Sequence, residues 1–231
     1  MRSLPRYLNR RDFVKSSLLL GGSLVLKLPG RDPQKQIALI GDSIRLGYQS
    51  YVISDMGEEA QVWGPEYDSG NTLDILVSLK RWITTVHYDI IHLNSGLNDL
   101  RTVSYSDLDN LVPVEYYTRN IEKIIKLVRQ LSPDSILIWA TTTPVLDDSF
   151  NRYHEIFQDY HLRNEDVIRY NAAATELVSR MGVAVNDLYS FMMTGDPSTA
   201  MRDDGVHYND FGNQLLGDRI RAIIEKIIKN L

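Results

Sequence analysis

From residue 36 onward, short continuous apolar runs alternate with longer stretches in which apolar residues return every three or four positions. The first pattern is that of a strand buried on both faces of a sheet, the second that of a helix with one face against a core. Strand-like runs occupy 36–40, 60–63, 89–93, 135–140 and 183–186. Helical spacing covers 44–56, 72–85, 114–131, 166–181 and 209–229. Leu73, Leu76, Leu79 and Ile83 share one face of the second helix, and Ile121, Ile124, Ile125 and Val128 one face of the third. Ser132-Pro133 closes the third helix, and Gly182 follows the fourth as a glycine past a helix end commonly does. Strands alternating with helices predict an α/β fold, a three-layer α/β/α sandwich around a five-stranded parallel sheet.

Two connections are long, 100–113 and 144–164. The second holds Phe150, Tyr153, His154, Phe157, Tyr160 and His161. It reads either as a lining for the sheet edge or as a surface loop or extra helix. No internal repeat or low-complexity segment interrupts the pattern.

The first 30 residues differ from the rest. Arg10-Arg11-Asp12-Phe13 precedes a short apolar run at 16–28, below the ~20 residues that span a bilayer. A basic region followed by such a run reads as a cleavable signal, and the alternative is an amphipathic helix that stays on the protein. The paired arginines with Phe13 resemble the twin-arginine export signal, with Asn9 standing where that signal usually has Ser or Thr. The expected organisation is an export segment at 1–30 and one domain at 31–231. It implies a bacterial protein, periplasmic or extracellular, with no stable membrane anchor once the signal is removed.

Charge and cysteine content narrow the classes of function. The whole chain carries 25 basic and 30 acidic residues, a net charge of −5. Residues 1–30 hold six of the bases and one of the acids, so the body keeps 19 bases against 29 acids, a net of −10. A surface that acidic repels phosphate backbones and anionic head groups, which excludes nucleic acid as an expected partner. With no cysteine, the chain has no disulfide, no thiolate metal site and no cysteine nucleophile.

In an open parallel sheet, ligands bind beyond the carboxyl ends of the strands. Gly41-Asp42-Ser43 follows the first strand and enters a helix, where the dipole favours negative charge. Asp68-Ser69-Gly70-Asn71-Thr72 follows the second strand, and Gly96-Leu97-Asn98-Asp99 the third. Asp203-Asp204-Gly205-Val206-His207 lies beyond the fifth strand, just before the last helix. Acyl transfer needs such groups: a serine, a histidine to take its proton, and a carboxylate to hold the imidazole in one tautomer. Ser43, His207 and Asp204 supply them, and Asp204 and His207 are close enough in sequence to meet across one turn. The backbone N–H groups of Ser43 and Gly70 and the Asn98 amide are donors for a developing oxyanion. Each motif alone is also an ordinary turn or cap; their joint occurrence, each after a different strand, is what carries the reading.

Gly41-Asp42-Ser43, Gly70, Gly96-x-Asn98-Asp99 and Asp204-x-x-His207 resemble the four sequence blocks of the SGNH/GDSL hydrolases, in that family's order. The resemblance implies a flavodoxin-like strand order 2-1-3-4-5, with Ser43 as nucleophile, His207 as base and Asp204 orienting it. It also implies an oxyanion hole of Ser43, Gly70 and Asn98, with no metal and no cofactor. Residues 138–145 and 185–189 are similar to bacterial members described as carbohydrate esterases, which implies a small acyl ester, acetyl first, on a carbohydrate substrate. Asn71-Thr72 stands where the family commonly has Asp-Thr.

Three other readings remain at this point. A lysophospholipase or thioesterase would use the same groups with an apolar groove from the aromatic loop. A metal-dependent phosphoesterase would use Asp42, Asp99, Asp203, Asp204 and His207 as ligands. A non-catalytic carbohydrate-binding protein would need none of them. Elsewhere, His92 reads as a hydrogen-bonded core residue and Trp82 and Trp139 as core. Trp63 reads as core or substrate platform, Arg45 as a surface ion-pair residue or a substrate contact, and Asp42 and Asp99 as braces of their turns.

Overall fold

The computed structural model describes residues 34–103, 110–154 and 160–230. Five strands pair in parallel, β1 (Lys35–Ile40), β2 (Ala60–Trp63), β3 (Ile90–Asn94), β4 (Ile136–Ala140) and β5 (Ala184–Asn186). Their spatial order is β2-β1-β3-β4-β5, the order implied by the family resemblance. The helices are α1 (Ser43–Met56), α2 (Thr72–Ile83), α3 (Val114–Leu131), α4 (Asp147–His154), α5 (Asn164–Arg180), α6 (Leu188–Met192) and α7 (Asp210–Ile228). Helix α1 packs against α7, while α2 packs on α3 and α3 on α5, so the sheet is flanked by two helical groups. From β1 the chain moves outward to β2, and from β3 it moves the other way to β4 and β5. The crevice between the carboxyl ends of β1 and β3 is therefore the topological switch point.

Burial explains why the strands read so clearly. Ile37 to Ile40 in β1 and all of β3 are buried, because both faces of these central strands lie under helices. Helix α3 buries Tyr117, Ile121, Ile124, Ile125 and Val128, the stripe expected from its spacing with one added tyrosine. Trp82 and Trp139 are core residues, whereas Trp63 is about one-third exposed and stacks on buried Tyr88 at 5.8 Å.

The differences from expectation lie at element ends and in the long connections. Helix α2 ends two residues early, at Ile83. Helix α5 starts two residues early, because Asn164, Glu165 and Asp166 form its first turn and show no apolar period. Each long connection gives one strand to a two-stranded antiparallel ribbon, Thr102–Val103 with Tyr160–His161. Two-residue strands are too short for a hydrophobic period. The expected export segment at 1–30, and Phe157 of the aromatic loop, lie outside the described residues.

His92 sits fully buried in the middle of β3, its Nε2 3.2 Å from the Asn186 amide. Arg219 donates to Asn186 Oδ1 at 3.2 Å, which turns the Asn186 NH₂ toward the ring. Burial drives the His92 pKa down to about 4. An unfolded histidine titrates near ~6.5, so between these values the unfolded chain binds a proton that the native chain refuses. Stability is thus lost as pH falls through this window, by about 3 kcal/mol from this group. His92→Gln is expected to remove most of that pH dependence when urea unfolding is compared at pH 7 and pH 4.5. Parallel behaviour of variant and wild type would mean the native ring titrates normally.

Candidate active site

Ser43 is placed by a turn and a helix start. Strand β1 ends at Ile40, and Asp42 caps α1 by accepting the Ile44 N–H at 3.0 Å. Ser43 is the first helical residue, so its N–H belongs to the open end of the helix. Burial raises the Asp42 carboxyl to about 6; the Asp68 charge adds to this, and the Ile44 N–H and Arg45 oppose it.

Helix α7 brings the partners. A Cβ on Gly47 would lie 2.4 Å from Asn213 Oδ1, so glycine lets α1 approach α7 closely here. Asn213 Nδ2 donates to the Tyr208 carbonyl at 3.0 Å, tying α7 to the segment before it. That segment closes on itself. Arg202 N–H donates to the His207 carbonyl at 2.8 Å, and Met201 bridges Tyr208. The result sets His207 Nε2 2.9 Å from Ser43 Oγ and His207 Nδ1 2.8 Å from Asp204 Oδ2. The other Asp204 oxygen accepts the N–H groups of Val206 and His207 at 2.9 and 2.8 Å. Burial pushes the Asp204 carboxyl up, but these two N–H groups and the ring hold it, on balance, below the usual carboxylate range. An ionised Asp204 keeps the ring proton on Nδ1 and leaves Nε2 to accept from Ser43.

Gly205, inside this turn, has φ +71°, and a Cβ there would meet Leu146 O at 2.7 Å and Phe150 N at 2.8 Å. Leu146 N–H donates to the Gly205 carbonyl at 2.8 Å, so the backbone cannot draw away without losing that bond. Gly205→Ala combines backbone strain with a clash and is expected to cost about 2–4 kcal/mol in chemical denaturation. A change under about 0.5 kcal/mol would show that the two segments separate freely.

Gly70 and Asn98, both expected as oxyanion donors, converge on one carboxylate. Gly70 N–H donates to Asp68 Oδ1 at 2.7 Å, and Asn98 Nδ2 lies 3.4 Å from that same oxygen. Asn98 Nδ2 also donates to the Gly70 carbonyl at 3.3 Å, which joins the two loops directly. Asp99 is buried and accepts Thr72 N–H at 3.1 Å, Thr72 Oγ1 at 2.5 Å and Ser95 Oγ at 3.0 Å. It braces the turn that carries Asn98, as the sequence suggests. Burial lifts its carboxyl to about 6, against the pull of these hydrogen bonds. Asn71 caps α2 in a reciprocal pair with Asp74, so the departure at this position serves the helix end.

A cleft of about 270 Å³ opens beside Ser43 and His207, lined also by Ile44, Leu46, Gly47, Arg202, Tyr208 and Asn213. The His207 side chain is 42% exposed and that of Asp204 15%, so the ring faces the cleft while its carboxylate is shielded. Phe150 is buried against Tyr160 at 5.8 Å, and Arg101 lies over the Tyr160 ring at 4.5 Å. These aromatics of the long connection are occupied in packing. Among the described residues, no three His, Asp or Glu side chains come together as a metal-binding group. Asp42 is engaged by the start of its own helix, and Asp99 by Thr72 and Ser95.

Three residues near the site carried no signal in sequence. Asp68 reads only as part of a turn in the sequence, and Arg202 belongs to no motif there. Arg45, read as a surface ion-pair residue, is fully buried and bonds backbone carbonyls instead. Its place in the first turn of α1, facing the chain that leaves β2, follows from the sheet order and from no local pattern.

The model of the GDSL-like lipase/acylhydrolase family matches residues 39–215. A GDSL esterase/lipase of Arabidopsis thaliana is 25% identical over 215 residues, covering 83% of this chain and 86% of its own length. Another from the same plant, CPRD49, is 24% identical over 162 residues, 69% of this chain; the match spans 63% of that relative's length, under two thirds. Among solved structures, a lipase/acylhydrolase from Enterococcus faecalis superposes with a TM-score of 0.67 at 23% identity, covering 84% of this chain and 96% of the other. The acetyl xylan esterase AlAXEase superposes with a TM-score of 0.62 at 17% identity, covering 82% and 99%. At these identities the structural likenesses speak for the fold.

Proposed function

The chain belongs to the GDSL-like lipase/acylhydrolase family, and on that premise we propose that it is a serine esterase that removes small acyl groups, acetyl first, from carbohydrates. The observation that carries the reading is the continuous Ser43–His207–Asp204 relay, with contacts of 2.9 and 2.8 Å, at the mouth of a small cleft. Ser43 Oγ attacks the acyl carbonyl as His207 Nε2 takes its proton, and Asp204 stabilises the imidazolium. The oxyanion forms against the N–H groups of Ser43 and Gly70 and the Asn98 amide. Asp68 gives up the latter two donors as it does so. His207 then gives its proton to the leaving sugar oxygen, which departs as a hydroxyl, and a water activated by the same ring releases the acyl group from Ser43.

Support for a short acyl chain comes from the size of the cleft and from the packed state of Phe150 and Tyr160. Support for a carbohydrate comes from the local resemblance at 138–145 and 185–189, together with fold likeness to an acetyl xylan esterase. The twin-arginine-like segment at 10–13 favours an exported protein working outside the cytoplasm.

The test is hydrolysis of p-nitrophenyl acetate and p-nitrophenyl octanoate by purified protein, with and without a chelator. Acetate is expected to be cleaved at least ten times faster in kcat/KM, with no effect of the chelator. Preference for octanoate would move the assignment to a lipase or thioesterase. Complete loss with the chelator would replace the serine mechanism by a metal-dependent one.

A further inference from the structure

Arg45 is a charged residue next to the site that the proposed mechanism leaves idle. Its side chain is fully buried, and among the described residues no carboxylate lies within ion-pair distance. Burying a guanidinium without such a partner is costly unless its N–H groups are all met. Here they are met by oxygen atoms. Nη1 donates to the Pro65 carbonyl at 2.6 Å and to Gln49 Oε1 at 2.7 Å. Nη2 donates to the Tyr67 carbonyl at 2.6 Å and to the Gly41 carbonyl at 3.3 Å, which Nε also reaches at 3.4 Å.

The choice of carbonyls is informative. Gly41 is two residues before Ser43, and Tyr67 is three before Gly70. The Gly41 carbonyl also accepts the Ser69 N–H at 3.0 Å, so it is the node where the two loops meet. One rigid, planar fork therefore spans the turn presenting the Ser43 N–H and the loop presenting the Gly70 N–H. We infer that Arg45 is a positioning residue that sets the spacing between these two oxyanion donors. The inference rests on the esterase reading and deepens it. A lysine there keeps the charge but is a point donor without the fixed fork, so it cannot hold both loops in one geometry. Burial lowers the Arg45 pKa, with Tyr48, Asp42 and Asp68 opposing, and the group still stays charged at neutral pH.

The experiment compares wild type, Ser43→Ala, Arg45→Lys and Arg45→Ala on p-nitrophenyl acetate, with the folded fraction followed by circular dichroism at the assay temperature. Per folded molecule, Arg45→Lys is expected to lower kcat on the order of 10²-fold with KM within about threefold, since misplaced donors weaken only the transition state. The inhibition constant of phenylboronic acid, which forms a tetrahedral adduct on Ser43, should rise by a similar factor. Millimolar guanidinium should restore part of the turnover of Arg45→Ala and none of that of Ser43→Ala. Folded Arg45 variants with wild-type kcat and boronate affinity would overturn the proposal. So would variants that are unfolded at the assay temperature, because the guanidinium would then hold the fold and not the donors. An inactive wild type would instead sink the esterase reading, and the role of Arg45 with it.

Discussion

Ser43→Ala is expected to lower turnover on p-nitrophenyl acetate by a factor on the order of 10⁴–10⁶ while leaving the protein folded. The serine hydroxyl is half-buried, and its hydrogen bond to His207 Nε2 at 2.9 Å is the contact that activates it. Removing the oxygen deletes the nucleophile but empties no part of the core, so the denaturation midpoint should move little. The residual rate should come from the donors and the cleft, which still bind the ester. The measurement is steady-state kinetics together with the burst of p-nitrophenol, which reports the acyl-enzyme and should vanish in the variant. A variant that keeps wild-type turnover would place the chemistry on another group, and the Ser43–His207 contact would then be an ordinary hydrogen bond.

The second large effect is expected at Asp204. In Asp204→Asn, the amide oxygen takes over the N–H bonds from Val206 and His207 that now end on Asp204 Oδ1. Its NH₂ group is thereby turned toward His207 Nδ1, which must accept, and the ring proton moves to Nε2. The nitrogen facing Ser43 then cannot take the serine proton. A loss of kcat on the order of 10⁴ near neutral pH follows, with KM little changed. The shape of the site is preserved, so the folded fraction should stay near wild type while turnover falls. Losses below about tenfold would mean that the carboxylate only shapes the turn. The Gly205→Ala prediction separates the same issues from the other side, because it distorts the turn and leaves all three side chains in place.

Much of the molecule is legible in the sequence. The strand at 36–40 was visible because β1 lies between β2 and β3 under both helical groups, which leaves no polar position in its interior. Helix α3 was visible because its buried stripe follows the 3.6-residue period. Ser43, Gly70 and Asn98 stand out in the sequence because each lies in a turn after a strand, and Asp204 and His207 because they fall three positions apart just before the last helix. The ribbon between 102–103 and 160–161 was not legible, since its pairing is long-range and its strands are shorter than one period. The start of α5 was missed because its first turn is polar, and a polar turn carries no periodic signal.

What the sequence determined by itself is therefore what acts over a few residues: the alternation of strands and helices, the turns at the strand ends, and the Asp204–His207 pairing across one turn. Only the tertiary structure decided that Ser43 meets His207 across 164 positions of chain. That contact depends on how closely α1 approaches α7 at Gly47, a distance no local pattern encodes. The same holds for Asp68, whose carboxylate lies on the donors of Gly70 and Asn98, and for Arg45, which changed from a surface charge to a buried clamp. Local propensity and solvent exposure act on each segment separately, whereas the partners of a buried polar group are chosen by which loops the sheet order sets side by side.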